Sequence, residues 1–202
     1  MPKTIENPQN ARSRRTAAAL VRAARDLIEQ DGFAALTMSS VAERAGVSRR
    51  AVYLHFTSRT ELLGALYQHL GEAEELGASL QAVWDSPDAV SALTEWAEHI
   101  ARSHPRILGV LRAFERSRYD DPDAAEYWAT SQGNWLKGGR RLMRWLADEG
   151  RLAPQWTVDT ATDLMWALMS IDVLDRLLNE RRWSRQRVAE HLATLFQATF
   201  VR

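Results

Sequence analysis

The chain has 202 residues, 46% hydrophobic and 26% charged, with no cysteine. This is an ordinary globular composition, long enough for one small and one medium core, and it excludes disulfides, thiolate zinc sites and cysteine nucleophiles. The net charge of zero hides an asymmetry: residues 1–60 carry ten Lys/Arg against five Asp/Glu, and residues 61–202 carry sixteen against twenty-one. A basic head on an acidic body points to a polyanion-binding end joined to a part with another task.

Residues 1–11 contain Pro2 and Pro8 without periodicity and read as a flexible arm. Charges interrupt the N-terminus before a signal-like apolar core forms, and no apolar run reaches spanning length, so a cytoplasmic protein without membrane contact is expected. A helix over about Ala11–Gln30 carries Leu20, Val21, Ala24, Leu27 and Ile28 as one stripe. Gly32 stops it, and Phe33 and Leu36 return to the core. Thr37–Phe56 then reads as two short helices joined by a tight turn at Ala45-Gly46-Val47-Ser48. Val41, Ala42 and Ala45 face inward before the turn, as do Val47, Val52 and Phe56 after it. Gly46 suits a turn outside right-handed space, and Ser48 caps a second helix that opens with Arg49 and Arg50 and presents Tyr53 and His55 outward. Two helices, a Gly-containing turn and an exposed basic second helix make a helix-turn-helix, whose second helix fits the DNA major groove. A fourth helix, capped by Thr57 or Ser58 with Glu61 in its first turn, presents Leu62, Leu63, Leu66, Tyr67 and Leu70 and closes a head domain over residues 12–75.

Residues 76–202 read as a second, entirely helical domain. Ser86-Pro87-Asp88 opens a helix to about Ser103, Pro105 restarts one to about Arg118, and Asp120–Asp123 begins a long helix to about Asp148. Gly133, Gly138 and Gly139 lie inside that helix, each costing about 1 kcal/mol against Ala, so a kink or a close helix contact is expected there. Two final helices span about Thr157–Glu180 and Ser184–Phe200. No stretch alternates with period two, and the fold class is all-α with about nine or ten helices.

The last two helices are apolar over more of their circumference than one buried stripe needs. Leu164, Leu168, Ile171, Leu174 and Leu178 form one face, and Val188, Leu192, Leu195 and Phe196 another; both are expected in a homodimer interface. Among eight tryptophans, Trp96, Trp128, Trp135 and Trp166, with His99, Ile100, Leu111 and Phe114, are candidates to line a pocket for a small molecule of apolar or aromatic character. Aromatic residues at helical spacing also serve as plain core, and for any one tryptophan that alternative carries more weight. No Glu-x-x-His or His-x-x-x-His pair occurs, and Gly133–Arg140 lacks the Lys-Ser/Thr and preceding strand of a phosphate loop. No catalytic residue, metal or cofactor is assigned.

Ala24 with Leu27 and Ile28, Gly32-Phe33, Thr37, Val41-Ala42, Ala45-Gly46-Val47-Ser48, Tyr53, His55-Phe56, Arg59 and Leu62-Leu63 together resemble the DNA-binding domain of the tetracycline-repressor (TetR) family of bacterial regulators. The final helix pair, joined through Arg182-Trp183-Ser184, is similar to that family's dimerising helices. The resemblance implies a homodimer on a palindromic double-stranded operator, released by a small-molecule effector bound among the middle helices. It assigns phosphate contacts to Thr37, Tyr53, His55 and, where the family usually has Lys, Arg59. Ser48 caps the recognition helix, and Arg49, Arg50, Ala51 and Leu54 are the candidates to read bases. Arg50 departs from the small residue common at its position and could meet a guanine or a phosphate. An activator would use the same residues; a helical carrier or enzyme with incidental nucleic-acid binding is the competing reading.

Overall fold

The computed structural model describes residues 8–73 and 76–202, with side chains from Arg12 onward and without those of residues 72 and 73. Among the described residues there are ten α-helices and no strand; the only β feature is an isolated bridge between Leu152 and Val201. No helix among the described residues is long and apolar enough to cross a membrane. Residues 1–7 of the expected arm lie outside the described residues. Residues 8–11 correct that expectation, because α1 (Pro8–Asp31) begins at Pro8. Proline suits a first helical turn, where its missing N–H would have no partner anyway.

A short 3₁₀ turn (Phe33–Ala35) leads into α2 (Met38–Arg44) and α3 (Arg49–Tyr53), followed by α4 (Arg59–Ala73). Leu20, Ala24, Val41, Val52, Leu62, Leu63 and Leu66 are fully buried, so the stripes read from the sequence converge on one core. That core does not end with the head. Val110, Ala113, Phe114 and Ala124 of the body belong to the same apolar cluster, so the head is seated on the body rather than tethered to it.

The body comprises α5 (Leu76–Trp84), α6 (Ala89–Ser117), α7 (Pro122–Asp148), α8 (Val158–Leu168), α9 (Ile171–Asp175) and α10 (Arg185–Phe200). The expected break at Pro105 is absent, and α6 runs through it. Interior proline costs about 3 kcal/mol. Here both flanks of Pro105 are buried, Trp96, Ala97 and Ile100 in the body core and Val110 and Phe114 in the head core, and Arg25 of α1 donates to the Arg106 carbonyl. Packing at both ends outweighs the local penalty. Conversely, the single helix expected over Thr157–Glu180 is broken. Met169 ends α8, Ser170 caps α9 by accepting from the Val173 amide, and a π-helical turn (Arg176–Glu180) follows. The break turns Ile171 against Leu108 and Leu111 of α6. α7 is continuous through all three glycines, and the close contact arises at Gly138, where an added Cβ would stand 2.3 Å from the Trp96 ring.

Candidate nucleic-acid interface and body cavity

The head fixes its two short helices by capping, because neither is long enough to hold itself. The Thr37 hydroxyl accepts from the Ser40 amide at 3.1 Å, while Ser40 Oγ accepts from the Thr37 amide at 2.9 Å and donates to the Ala35 carbonyl at 2.7 Å. Arg44 ties α2 to α1 through Asp31 at 2.7 Å and Gln30 at 3.1 Å. Gly46 sits at φ +67°, a left-handed position that a side chain would strain. Ser48 Oγ accepts from the Ala51 amide at 3.2 Å, so the residue expected to cap the second helix does so.

α3 and the turn that follows it divide cleanly between anchor and outward side chains. Val52 is fully buried and Phe56 nearly so. Ala51 and His55 are half-buried, and Arg49, Arg50, Tyr53 and Leu54 are exposed. Leu54 is 76% exposed. Arg49 lies over the Tyr53 ring at 5.7 Å, and neither Arg49 nor Arg50 forms an ion pair among the described residues. The helix thus presents two unneutralised guanidiniums, a phenol and an alkyl tip on one rigid face.

Arg59 lies elsewhere than expected. Its guanidinium is 4.5 Å above the Phe33 ring and its Nη1 donates to Asp121 Oδ2 at 2.9 Å, so the side chain points into the junction of head and body. The physical reason is local: Asp121 caps α7 beside the start of α4, and Phe33 offers an aromatic face. The same junction holds hydrogen bonds from the Thr60 hydroxyl to Asp123 and from the Tyr127 hydroxyl to the Thr60 carbonyl. The sequence marks Asp120–Asp123 only as a helix start, and nothing in it marks Asp121 as the partner of Arg59.

Between α4, α5, α6 and α7 lies a cavity of about 240 Å³. Of the expected lining, Trp96, His99, Leu111, Phe114 and Trp135 border it. Ile100 does not, because it is turned into the body core at 1% exposure. Trp128 and Trp166 face a separate surface groove with Glu115 and Arg118, where the Trp166 indole donates to Gln132 at 2.8 Å. Tyr67, Leu70, Gly71, Leu76, Gly77, Leu80, Ile107, Val110, Ser131 and Asn134 also line it. Ile107 and Val110 continue the α6 face that Trp96 and His99 begin, so helical spacing carried that signal; the α4 and α5 residues depend on tertiary placement.

No described residue of the lining carries a charge at neutral pH. Burial, helped by the nearby Arg102 charge, pushes His99 down to about 4, and its Nδ1 shares a 2.9 Å hydrogen bond with the Ser79 hydroxyl. Behind Trp135, at 4.5 Å between ring centroids, burial pushes His104 down to about 3; neither of its ring nitrogens has a hydrogen-bond partner among the described residues.

The outer side of the last helices also differs from expectation. Ile171, Leu174, Val188, Leu192 and Phe196 are buried within their own chain and unavailable to a partner. They pack against α6 and α7, because the amphipathic stripe of α10 is used up in the body core. Leu164, Leu168 and Leu178 are half-buried, and Leu195 is 42% exposed.

Residues 20–66 match the family described as bacterial regulatory proteins, tetR family. The chain is 27% identical over 187 residues to the transcriptional regulator EthR of Mycolicibacterium smegmatis, covering 88% of this chain and 81% of that one. It is 36% identical over 78 residues to the regulator TtgR of Pseudomonas putida, a match spanning 39% of this chain and 36% of that protein's length. A transcriptional regulator from Saccharomonospora viridis, solved in complex with choline, superposes with a TM-score of 0.75 over 94% of this chain and 99% of that one, at 15% identity. At that identity the likeness is one of fold.

Proposed function

As the chain belongs to the tetR family of bacterial regulatory proteins and carries its DNA-binding helix-turn-helix, we propose that it is a homodimeric repressor of a two-fold operator, released when a small molecule enters the body cavity. The observation that carries the DNA-binding half is the division of α3 and the turn after it: Val52 and Phe56 are locked inward, while Arg49 and Arg50, without ion-pair partners among the described residues, stand outward with Tyr53 and Leu54 in the basic first sixty residues. Arg49 and Arg50 suit guanine O6/N7, each bidentate pair worth about 1–3 kcal/mol of discrimination, and Leu54 suits a thymine methyl. Tyr53, His55 and the Thr37 hydroxyl suit phosphate oxygens, which set register without reading sequence. Arg59, held by Asp121, is reassigned from phosphate contact to the junction.

A two-fold operator requires two heads about 34 Å apart, hence a dimer. The exposed Leu195 and the half-buried Leu164, Leu168 and Leu178 support a seam on the side of the body formed by α8 and α10. The uncharged lining supports a neutral apolar or aromatic effector: burying an unpaired charge there would cost several kcal/mol. The choline bound by the Saccharomonospora regulator is a cation, and no described residue of this lining supplies it with a carboxylate. Phe114 borders the cavity and meets Phe33 edge-on at 5.5 Å, and Arg59 covers Phe33, which supports a contact route from effector to head. Release then requires the effector to favour one head arrangement, with a coupling of about 1–3 kcal/mol.

Two substitutions test the interface assignments. Tyr53→Phe should weaken binding to all operators alike and flatten its salt dependence, whereas Arg50→Ala should change the base preference of the selected site. An unaltered salt slope in the first, or an unaltered site profile in the second, would show that the side chain does not have the role given to it.

A further inference from the structure

We infer that a second binding site lies on the far side of the body, a groove for an organic anion that joins a flat ring to at least two negative charges. Lys137, Arg140, Arg141 and Arg144 line a groove of about 530 Å³ along α7, walled by Trp84 and Trp145 and bounded by Asp148 at one end. That volume lies within the range of small-molecule sites.

The charge pattern is opposite to that of its surroundings. Apart from these four, residues 76–202 hold twelve Lys/Arg against seventeen Asp/Glu, yet residues 137–144 hold four cations and no acid. All four are exposed on one helix face at spacings of three and four, where like charges repel. Arg140 is paired with Asp159, and Arg141 lies over the Trp84 ring at 3.9 Å. Lys137 and Arg144 have no ion-pair partner among the described residues. Two cations without counter-charge, flanking a stacked arginine, match two charged oxygens of one ligand. Trp145 is half-buried and carries no cation on its ring, which leaves an aromatic surface for a planar group.

The groove's position separates it from the head. Asp121, at the head end of α7, and Arg141 are twenty residues apart, about 30 Å at 1.5 Å per residue. The groove therefore lies toward the end of α7 remote from the junction with the head. The groove is also distinct from the body cavity, yet adjacent: Trp84 packs on Trp96 at 5.9 Å, and Trp96 borders the cavity. A nucleoside diphosphate has the required chemistry, with the ring against Trp145 and the phosphates between Lys137 and Arg144.

Calorimetric titration of the full chain with ADP, adenosine and inorganic pyrophosphate tests the assignment. ADP should saturate at one per chain, and adenosine and pyrophosphate should each bind at least about tenfold more weakly, since each lacks half of the recognised chemistry. Lys137→Ala/Arg144→Ala should weaken ADP by about tenfold or more with an unchanged unfolding midpoint, and Lys137→Arg/Arg144→Lys should restore most of it. Failure of ADP to saturate, equal binding by the alanine pair, or pyrophosphate binding as tightly as ADP would overturn the proposal. So would loss of duplex-DNA affinity in the alanine pair with ADP binding intact, because the ridge would then serve nucleic acid.

Discussion

Asp121 uses its two carboxylate oxygens for two different helices: Oδ1 accepts from the amides of Asp123 and Ala124 and caps α7, while Oδ2 accepts from Arg59 at the start of α4. Burial alone would raise its pKa, but the Arg59 guanidinium and the two amides outweigh burial and hold the carboxyl below the usual range. The Arg59 Nε and Nη2 are buried without hydrogen-bond partners among the described residues, so this carboxylate and the Phe33 ring supply most of what compensates the cation there.

Asp121→Ala removes both a cap and the counter-charge and should destabilise the chain by about 2–3 kcal/mol. Asp121→Asn keeps a capping oxygen and should cost roughly half of that. The carboxylate's pKa is depressed on folding, so its contribution is present above the unfolded value near about 4 and disappears as pH falls through the lower folded value. The wild type and Asp121→Ala should therefore converge in acid. Urea unfolding at neutral pH and near pH ~3 checks this; a gap that is independent of pH would show that the ion pair contributes nothing.

Gly138→Ala separates two opposing effects. Helix propensity favours alanine by about 1 kcal/mol at an interior position. The added Cβ, however, would stand 2.3 Å from Trp96 Cη2, and this ring is packed between Trp84 and the cavity. Overpacking of this kind costs about 1–3 kcal/mol. The variant should have a lower unfolding midpoint and an altered cavity. A raised midpoint would mean that Trp96 moves aside at no cost.

The acid side of the stability profile should report two histidines. Folding lowers His99 to about 4 and His104 to about 3, both below the ordinary value of 6.5. The unfolded chain then binds more protons than the folded one between those limits, so stability falls as pH drops below about 6.5, by up to about 1.4 kcal/mol per pH unit for each histidine. His104→Leu should flatten the slope and keep the ring contact with Trp135 apolar. An unchanged slope in chemical unfolding between pH ~6.5 and ~4.5 would contradict the burial of a neutral His104.

Much of the head was legible because its signals are local. The Thr37 and Ser48 caps, Gly46 and the spacing of Val41, Val52 and Phe56 act within a few residues of one another, and the geometry follows from them. The all-helical class was legible for the same reason. What was not legible depended on neighbours distant in sequence. Pro105 signalled a break that packing on both flanks overrides, whereas Ser170 gave no sign strong enough to cut the helix around it. Arg59 read as a phosphate contact by position, yet its partner is 62 residues away. Leu192 and Phe196 were counted toward a dimer seam because a wide apolar face says that partners exist and not whether they belong to the same chain.

The central claim is that α3 reads a two-fold DNA site and that occupancy of the body cavity governs it. Footprinting of the full chain on the DNA upstream of its own gene tests this most directly. The account predicts protection of a palindrome with half-sites about one helical turn apart, an affinity that falls steeply with salt, and release on adding a neutral aromatic compound that raises the unfolding midpoint. A compound that raises the midpoint yet leaves the footprint intact would contradict the cavity as the control site, and the absence of any palindromic protection would contradict the assignment as a whole.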